Sequence, residues 1–325
     1  MNTTICFGGF RSEYLCGADK STGAVRIAQY ESKQVKAREL HSTNPKTGKM
    51  GHIISIVNQK GGCGKTTTAV NLSAWLASKG KKTLLIDLDP EGYATLGLGI
   101  KPNSVELSIY DVLINNISLE RATIPAFVDN LDLIPSNPVL SGAQLEIANL
   151  LGRETILRVA LNKLFLSKAY DFVILDCSPS LNLVTINALA ASKFVIVPIQ
   201  AHYYSLHGMK ELFSTITIIK ERINADLEIL GILVTLFDPR TKMSHHVLSD
   251  IRDYFKDKVF GTVVNTNVKL CEASMNQKPI CLYDPESKGS KDYEQLTDEV
   301  IARILSLNKE YVAEMAFKTY GGFYK

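Results

Sequence analysis

Residues 60–67 read Lys-Gly-Gly-Cys-Gly-Lys-Thr-Thr, between the apolar run Ile53–Val57 and a helical pattern that opens at Thr66. Such a segment holds phosphate. Successive backbone N–H groups and a helix N-terminus face the anion, and glycines leave no Cβ in its path. The common phosphate-loop pattern, G-x-x-x-x-G-K-[ST], asks for glycine where Gln59 stands, so the chain carries the deviant form K-G-G-x-G-K-[TS]. Residues Lys60, Gly61, Gly62, Cys63, Gly64, Lys65, Thr66 and Thr67 are therefore the expected nucleotide-binding set. Lys65 is expected to meet the β/γ-phosphates as a point charge, and the Thr66 hydroxyl to ligate Mg²⁺.

Three carboxylates end apolar strands that must lie beside this loop. Leu84–Pro90 (LLIDLDP) carries Asp87 and Asp89 at i and i+2, which point to one side of a sheet. One suits ordering of a magnesium shell, the other orientation of an attacking water. Tyr170–Asp176 (YDFVILD) ends in Asp176, a second acid on the magnesium side.

Short apolar runs alternate with amphipathic segments from residue 53 onward. Strands are predicted at Ile53–Val57, Thr83–Asp87, Leu131–Ile134, Phe172–Asp176, Phe194–Ile199, Ile229–Thr235 and near Val263. Their near-continuous hydrophobicity suits parallel strands buried on both faces. Helical spacing links Leu206, Met209, Leu212, Phe213, Ile216 and Ile219, and again Met243, Val247, Leu248, Ile251 and Phe255. Tyr293, Leu296, Val300, Ile301 and Ile304 form a terminal helix. The fold class is α/β, a doubly wound, mostly parallel sheet flanked by helices, with ligands at the carboxyl ends of its strands.

The 325 residues, 46% of them hydrophobic, can bury one large α/β core. Residues 1–49 show little apolar periodicity and read as an N-terminal extension expected to be disordered, 50–307 as the nucleotide-binding domain, and 308–325 as a C-terminal tail. Eight Lys/Arg against four acids give the first fifty residues +4 of a total of +3, so the body sums to −1. A nucleic-acid surface on the body must be a local patch. No apolar run reaches the ~18 residues of a membrane span. The six cysteines make no C-x-x-C pair or zinc spacing, which fits a reduced cytosolic protein.

With these motifs in order, the chain resembles the ParA/Soj-like partition ATPases, of the deviant Walker A (MinD/ParA) superfamily of P-loop NTPases. The resemblance runs from about Met50 to Ile304. It rests on Lys60–Thr67, Asp87–Thr95 (DLDPEGYAT), Tyr170–Leu189 (YDFVILDCSPSLNLVTINAL), Val197–Gly208 (VPIQAHYYSLHG), Leu236–Ser244 (LFDPRTKMS) and Asn267–Ala273 (NVKLCEA). It implies ATP-driven homodimerisation around two nucleotides, with Lys60 crossing to the partner's phosphates. Asp89 would position the hydrolytic water and Asp176 would hold the magnesium shell through water. The resemblance further implies weak basal hydrolysis, stimulated by a ParB-like or cargo adaptor protein, and binding of the dimer to non-specific DNA. The expected location is cytoplasmic and nucleoid-associated, with no membrane involved. Matching the family's motifs places Asn267 at the base pocket and Arg240 and Lys269 on DNA. The chain departs from the family at Glu91, Tyr93, Ser178, His202 and His207, and reads Val264-Asn265-Thr266-Asn267 where relatives have I-P-R-N. A MinD-like or cargo-positioning ATPase acting at a membrane or protein array is the alternative. An iron–sulfur electron-transfer ATPase would need paired thiolates at the dimer axis, and Cys177 is poorly placed for that.

Overall fold

The computed structural model describes the backbone of residues 51–202 and 209–320 and side chains through 308. Strands run at β1 His52–Ile56, β2 Thr83–Leu88, β3 Ile124–Pro125, β4 Leu131–Ile134, β5 Phe172–Cys177, β6 Phe194–Gln200, β7 Glu228–Phe237 and β8 Val259–Asn265. They form one sheet in the order β3-β4-β2-β5-β1-β6-β7-β8. All neighbours are parallel except the antiparallel β3–β4 pair at one edge. All seven predicted strands are present. The short β3 escapes sequence reading because two residues show no periodicity.

The helices of eight or more residues among those described are α1 Lys65–Ser78, α2 Ile156–Ser167, α3 Leu183–Ala191, α4 Met209–Arg222, α5 Lys242–Phe255, α6 Val268–Met275 and α7 Lys288–Tyr320. Alternation along each strand feeds two cores. Ile54, Ile56, Leu85 and Ile174 pack under α1, α6 and α7, and Ile53, Val57, Leu84, Ile86, Val173 and Leu175 pack under α2 to α5. This is a three-layer, doubly wound fold. In α5, Val247, Leu248 and Ile251 are buried as their spacing predicts, but Met243 faces solvent. Leu206 and His207 lie outside the described residues. The boundary expected at 307 falls inside α7, which continues to Tyr320. The extension 1–49 also lies outside the described residues.

The pleat decides what reaches the site. Asp87 and Asp176 occupy the same alternation as Leu85 and Ile174, so both belong to the α1 side of the sheet. They are also register partners across β2 and β5. The topology thus places two carboxylates side by side beneath the helix that begins with Lys65.

Candidate nucleotide site

The turn between β1 and α1 is built from hydrogen bonds that leave its outer surface clear. The Asn58 amide donates to the Pro198 carbonyl (2.6 Å), and its oxygen accepts the Lys60 N–H (3.0 Å). The Cys63 thiol donates to the Lys60 carbonyl (3.2 Å). The Thr235 hydroxyl, at the far end of β7, donates to the Cys63 carbonyl (2.8 Å). Gly62 and Gly64 hold φ of 71° and 85°, a region that L side chains rarely occupy. A Cβ on Gly61 or Gly62 would meet nothing within 4 Å, so the loop rims an open cradle. Gly64 is the N-cap of α1 and supplies no side chain, which leaves the first N–H groups of the helix for an anion. Lys65 is buried, its ammonium donating to the Lys60 carbonyl at 3.1 Å. Lys60 and Thr66 are half-buried beside it.

Burial and the two carboxylates' proximity dominate the electrostatics. Asp87 is fully buried, and loss of solvent pushes its carboxyl up to about 6. Hydrogen bonds from Thr95 oppose that rise: the Thr95 N–H and hydroxyl both donate to Asp87 Oδ2 (2.8 and 2.7 Å), and the Asp89 N–H donates to Oδ1 (3.1 Å). Asp176 is also fully buried. Its carboxyl is raised well above the ordinary range, first by burial and then by the charge of Asp87. Thr66 and Lys65 favour its ionised form. Neither Asp176 oxygen, however, has a hydrogen-bond partner of regular geometry. A buried carboxylate left in this way is an unmet demand for a cation or an ordered water. Among the described residues no group of three or more His, Cys, Asp or Glu is arranged to hold a metal. A cation here would need phosphate oxygens and water in its shell, the habit of Mg²⁺. Thr66 and Asp176 fit that role, with Asp87 mostly occupied by the Thr95 turn.

Asp89 stands half-buried just past β2, its Oδ1 accepting the Glu91 N–H at 3.1 Å. The turn closes at Gly92, φ 66°, where a Cβ would stand 2.6 Å from the Pro102 ring. Glu91 and Tyr93 are exposed, and Ser178 is buried with its hydroxyl 3.1 Å from that of Ser180. Cys177 is buried and its thiol pushed up by burial, the opposite of a thiolate ready for iron.

The remaining predicted residues gather at the β7–β8 end. The Thr266 N–H donates to the Phe237 carbonyl (2.9 Å), bringing the loops after the two strands together. The Asn267 side chain accepts the Lys269 N–H (2.8 Å) and caps α6. Arg240 is exposed and held bidentately by Asp238 (2.9 and 2.8 Å), which pulls the Asp238 carboxyl down to about 2. The Lys269 ammonium pairs with Glu272 at 2.8 Å. Both expected DNA cations therefore face an acid of their own chain. Asn265 donates its N–H and its amide to the buried Asp292 on α7 (2.9 and 2.8 Å).

Sequence reading missed Asn58, Thr95, Thr235 and Asp292. Thr95 lay inside a quoted motif, whereas the others carry no local signal. Two cavities of about 330 and 390 Å³ lie away from the loop, one along α2 and one at the amino ends of β2, β4 and β5.

The AAA domain family model matches residues 51–229. The chromosome partitioning protein ParA of Myxococcus xanthus is 46% identical over 254 residues, covering 78% of this chain and 89% of that protein. The chromosome-partitioning ATPase Soj of Thermus thermophilus is 45% identical over 251 residues, covering 77% and 96% respectively. The crystal structure of cobyrinic acid a,c-diamide synthase from Mycobacterium smegmatis, with bound ADP and magnesium, superposes with a TM-score of 0.68 at 32% identity, covering 84% of this chain and 97% of that one. No helix among the described residues is long and apolar enough to cross a membrane. The phosphate loop and paired strand-end acids, with identity spread over three quarters of the chain, make it a member of the ParA/Soj family of chromosome-partitioning ATPases.

Proposed function

We propose that the chain is an ATP-dependent dimeric switch that binds DNA without sequence preference and hydrolyses ATP to segregate or position DNA. The observation that carries this reading is the pair Asp87 and Asp176, buried beneath a two-lysine phosphate loop, with neither Asp176 oxygen in a hydrogen bond of regular geometry. Lys65 and the loop N–H groups bind the ATP phosphates and offset their charge. Asn267, the N-cap of α6 just past β8, borders the base. Bound magnesium would neutralise charge developing on the transferred phosphoryl group, held through Thr66 with Asp176 behind it. Asp89 orients the attacking water, and the Asp87–Thr95 bonds hold the backbone that carries Asp89. Lys60 reaches the phosphates of a second copy, so each site is complete only in the dimer. Because phosphoryl transfer depends on positioning and charge, turnover is weak until a ParB-like or cargo adaptor protein completes the arrangement. DNA phosphates displace Asp238 and Glu272 from Arg240 and Lys269, doubled in the dimer. The switch acts in the cytoplasm on the nucleoid.

Sedimentation with a slowly hydrolysed ATP analogue separates the two lysines. Lys65→Ala is expected to lose nucleotide binding. Lys60→Ala is expected to bind nucleotide and remain monomeric. Normal dimerisation of Lys60→Ala would remove the crossing lysine from the account.

A further inference from the structure

The last residues of β7 touch the phosphate loop on one side and lead directly into the Arg240 turn on the other. Thr235 is buried and pinned twice: its hydroxyl donates to the Cys63 carbonyl (2.8 Å), and its own carbonyl accepts the Ala201 N–H at the end of β6 (2.9 Å). Its methyl lies 3.6 Å from where a Cβ on Gly64 would stand. The next residue, Leu236, has φ of 50°, a left-handed conformation that a leucine adopts only when its surroundings impose it. The β7–β8 register slips at this point, between Val234 and Phe237. Beyond it the chain is pinned again. The Phe237 carbonyl accepts the Thr266 N–H, the Phe237 ring meets His245 edge-on at 5.1 Å, and Asp238 grips Arg240 through both guanidinium and backbone.

We infer that Thr235 is a positioning residue for the phosphate loop, and that the strained Leu236 bulge converts movement of that loop into movement of the Asp238–Thr241 turn that carries Arg240. The inference rests on the loop binding nucleotide, as proposed above. A shift of the Cys63 carbonyl must draw Thr235 with it. Leu236 is the strained joint between two pinned stretches, so the shift is taken up there and passed on. A coupling claim of this kind requires one element whose arrangement both sites bias, and the Thr235–Leu236 joint is that element.

Hydrogen–deuterium exchange of the full-length chain, with and without saturating magnesium-ADP or a slowly hydrolysed ATP analogue, tests it without any use of DNA. Amides 61–67 should become protected, and those of Asp238, Arg240 and Thr241 within the 238–241 turn should change severalfold. Thr235→Val, which removes the donor but keeps the shape, should bind nucleotide more weakly. At saturation it should protect the loop while leaving 238–241 unchanged, and Thr235→Ser should restore the response. Leu236→Gly should fold and bind nucleotide as the parent does, yet transmit little to the turn. Loop protection with no change at 238–241 in the parent would overturn the coupling alone, as would a full response in both Thr235→Val and Leu236→Gly. Absence of loop protection in the parent would overturn the nucleotide reading itself, and the inference with it.

Discussion

Lys65 sits in the loop with its charge turned onto the Lys60 carbonyl, and Asp176 sits below with no hydrogen bond of regular geometry. Each is held ready for a species of the opposite sign, which is why the chemistry reduces to a few side chains with separable roles. Asp89→Ala is expected to bind ATP and dimerise but to hydrolyse it at least tenfold more slowly, a loss of about 1.4 kcal/mol or more in transition-state stabilisation. Single-turnover hydrolysis measures this, and wild-type turnover would move the water-positioning role to Asp87 or to neither acid. Arg240 gives a pH prediction. The guanidinium lowers the Asp238 carboxyl to about 2 in the folded chain, against about 3.9 when unfolded. A depressed carboxylate contributes stability above the unfolded value, and that contribution fades as pH falls from about 4 through about 2. In Arg240→Ala the Asp238 carboxyl, followed by NMR, should titrate well above the parent's, held below the unfolded value only by the residue-240 N–H. A midpoint still near 2 would show that something other than Arg240 holds it down. The strand-end acids and the loop were legible in sequence because each motif is local. Thr235 and Asn58 were not, because their partners lie 172 and 140 residues away and each bond is made by the fold alone.

Parallel strands buried on both faces write themselves as unbroken apolar runs, and so seven of the eight were readable. Helix α7 was legible as a short terminal helix from its buried face, Tyr293 through Ile304. What sequence could not give is its function as a brace. Asp292, buried at its start, accepts two hydrogen bonds from Asn265 and pairs with Lys288 at 2.7 Å, tying the loop after β8 to the helix. Further along, Arg303 donates to the Leu230 and Val259 carbonyls while Glu299 accepts the Gly261 and Thr262 N–H groups. The edge strand is thereby closed off by side chains. Replacing Asp292 by Ala takes the acceptor from the half-buried Asn265 N–H and leaves its amide only the longer bond to the Val263 carbonyl, at a cost of about 1 kcal/mol. Urea unfolding should register that loss and nucleotide affinity should fall with it. An unchanged midpoint would mean the loop after β8 is held by α6 and its Asn267 cap instead.

At the scale of the whole molecule, charge is the informative quantity. The body of the chain is close to neutral, and its two DNA-facing candidates are each paired with an acid. A monomer therefore presents little to a polyanion. A dimer presents Arg240 and Lys269 twice, and four neutralised phosphates give a log–log salt slope of roughly −3 to −4. On the function proposed above, affinity of this kind would depend on assembly, and assembly on ATP. The most direct test is binding of the purified full-length chain to sequence-unrelated duplexes with magnesium-ATP, with magnesium-ADP and without nucleotide, over a range of salt. Binding should appear only with ATP, be indifferent to sequence and fall steeply with salt. It should vanish in the Arg240→Glu, Lys269→Glu double variant, whose ATP-driven dimer still forms. Equal binding in all three nucleotide conditions, or a well-formed ATP dimer that ignores DNA, would contradict the account.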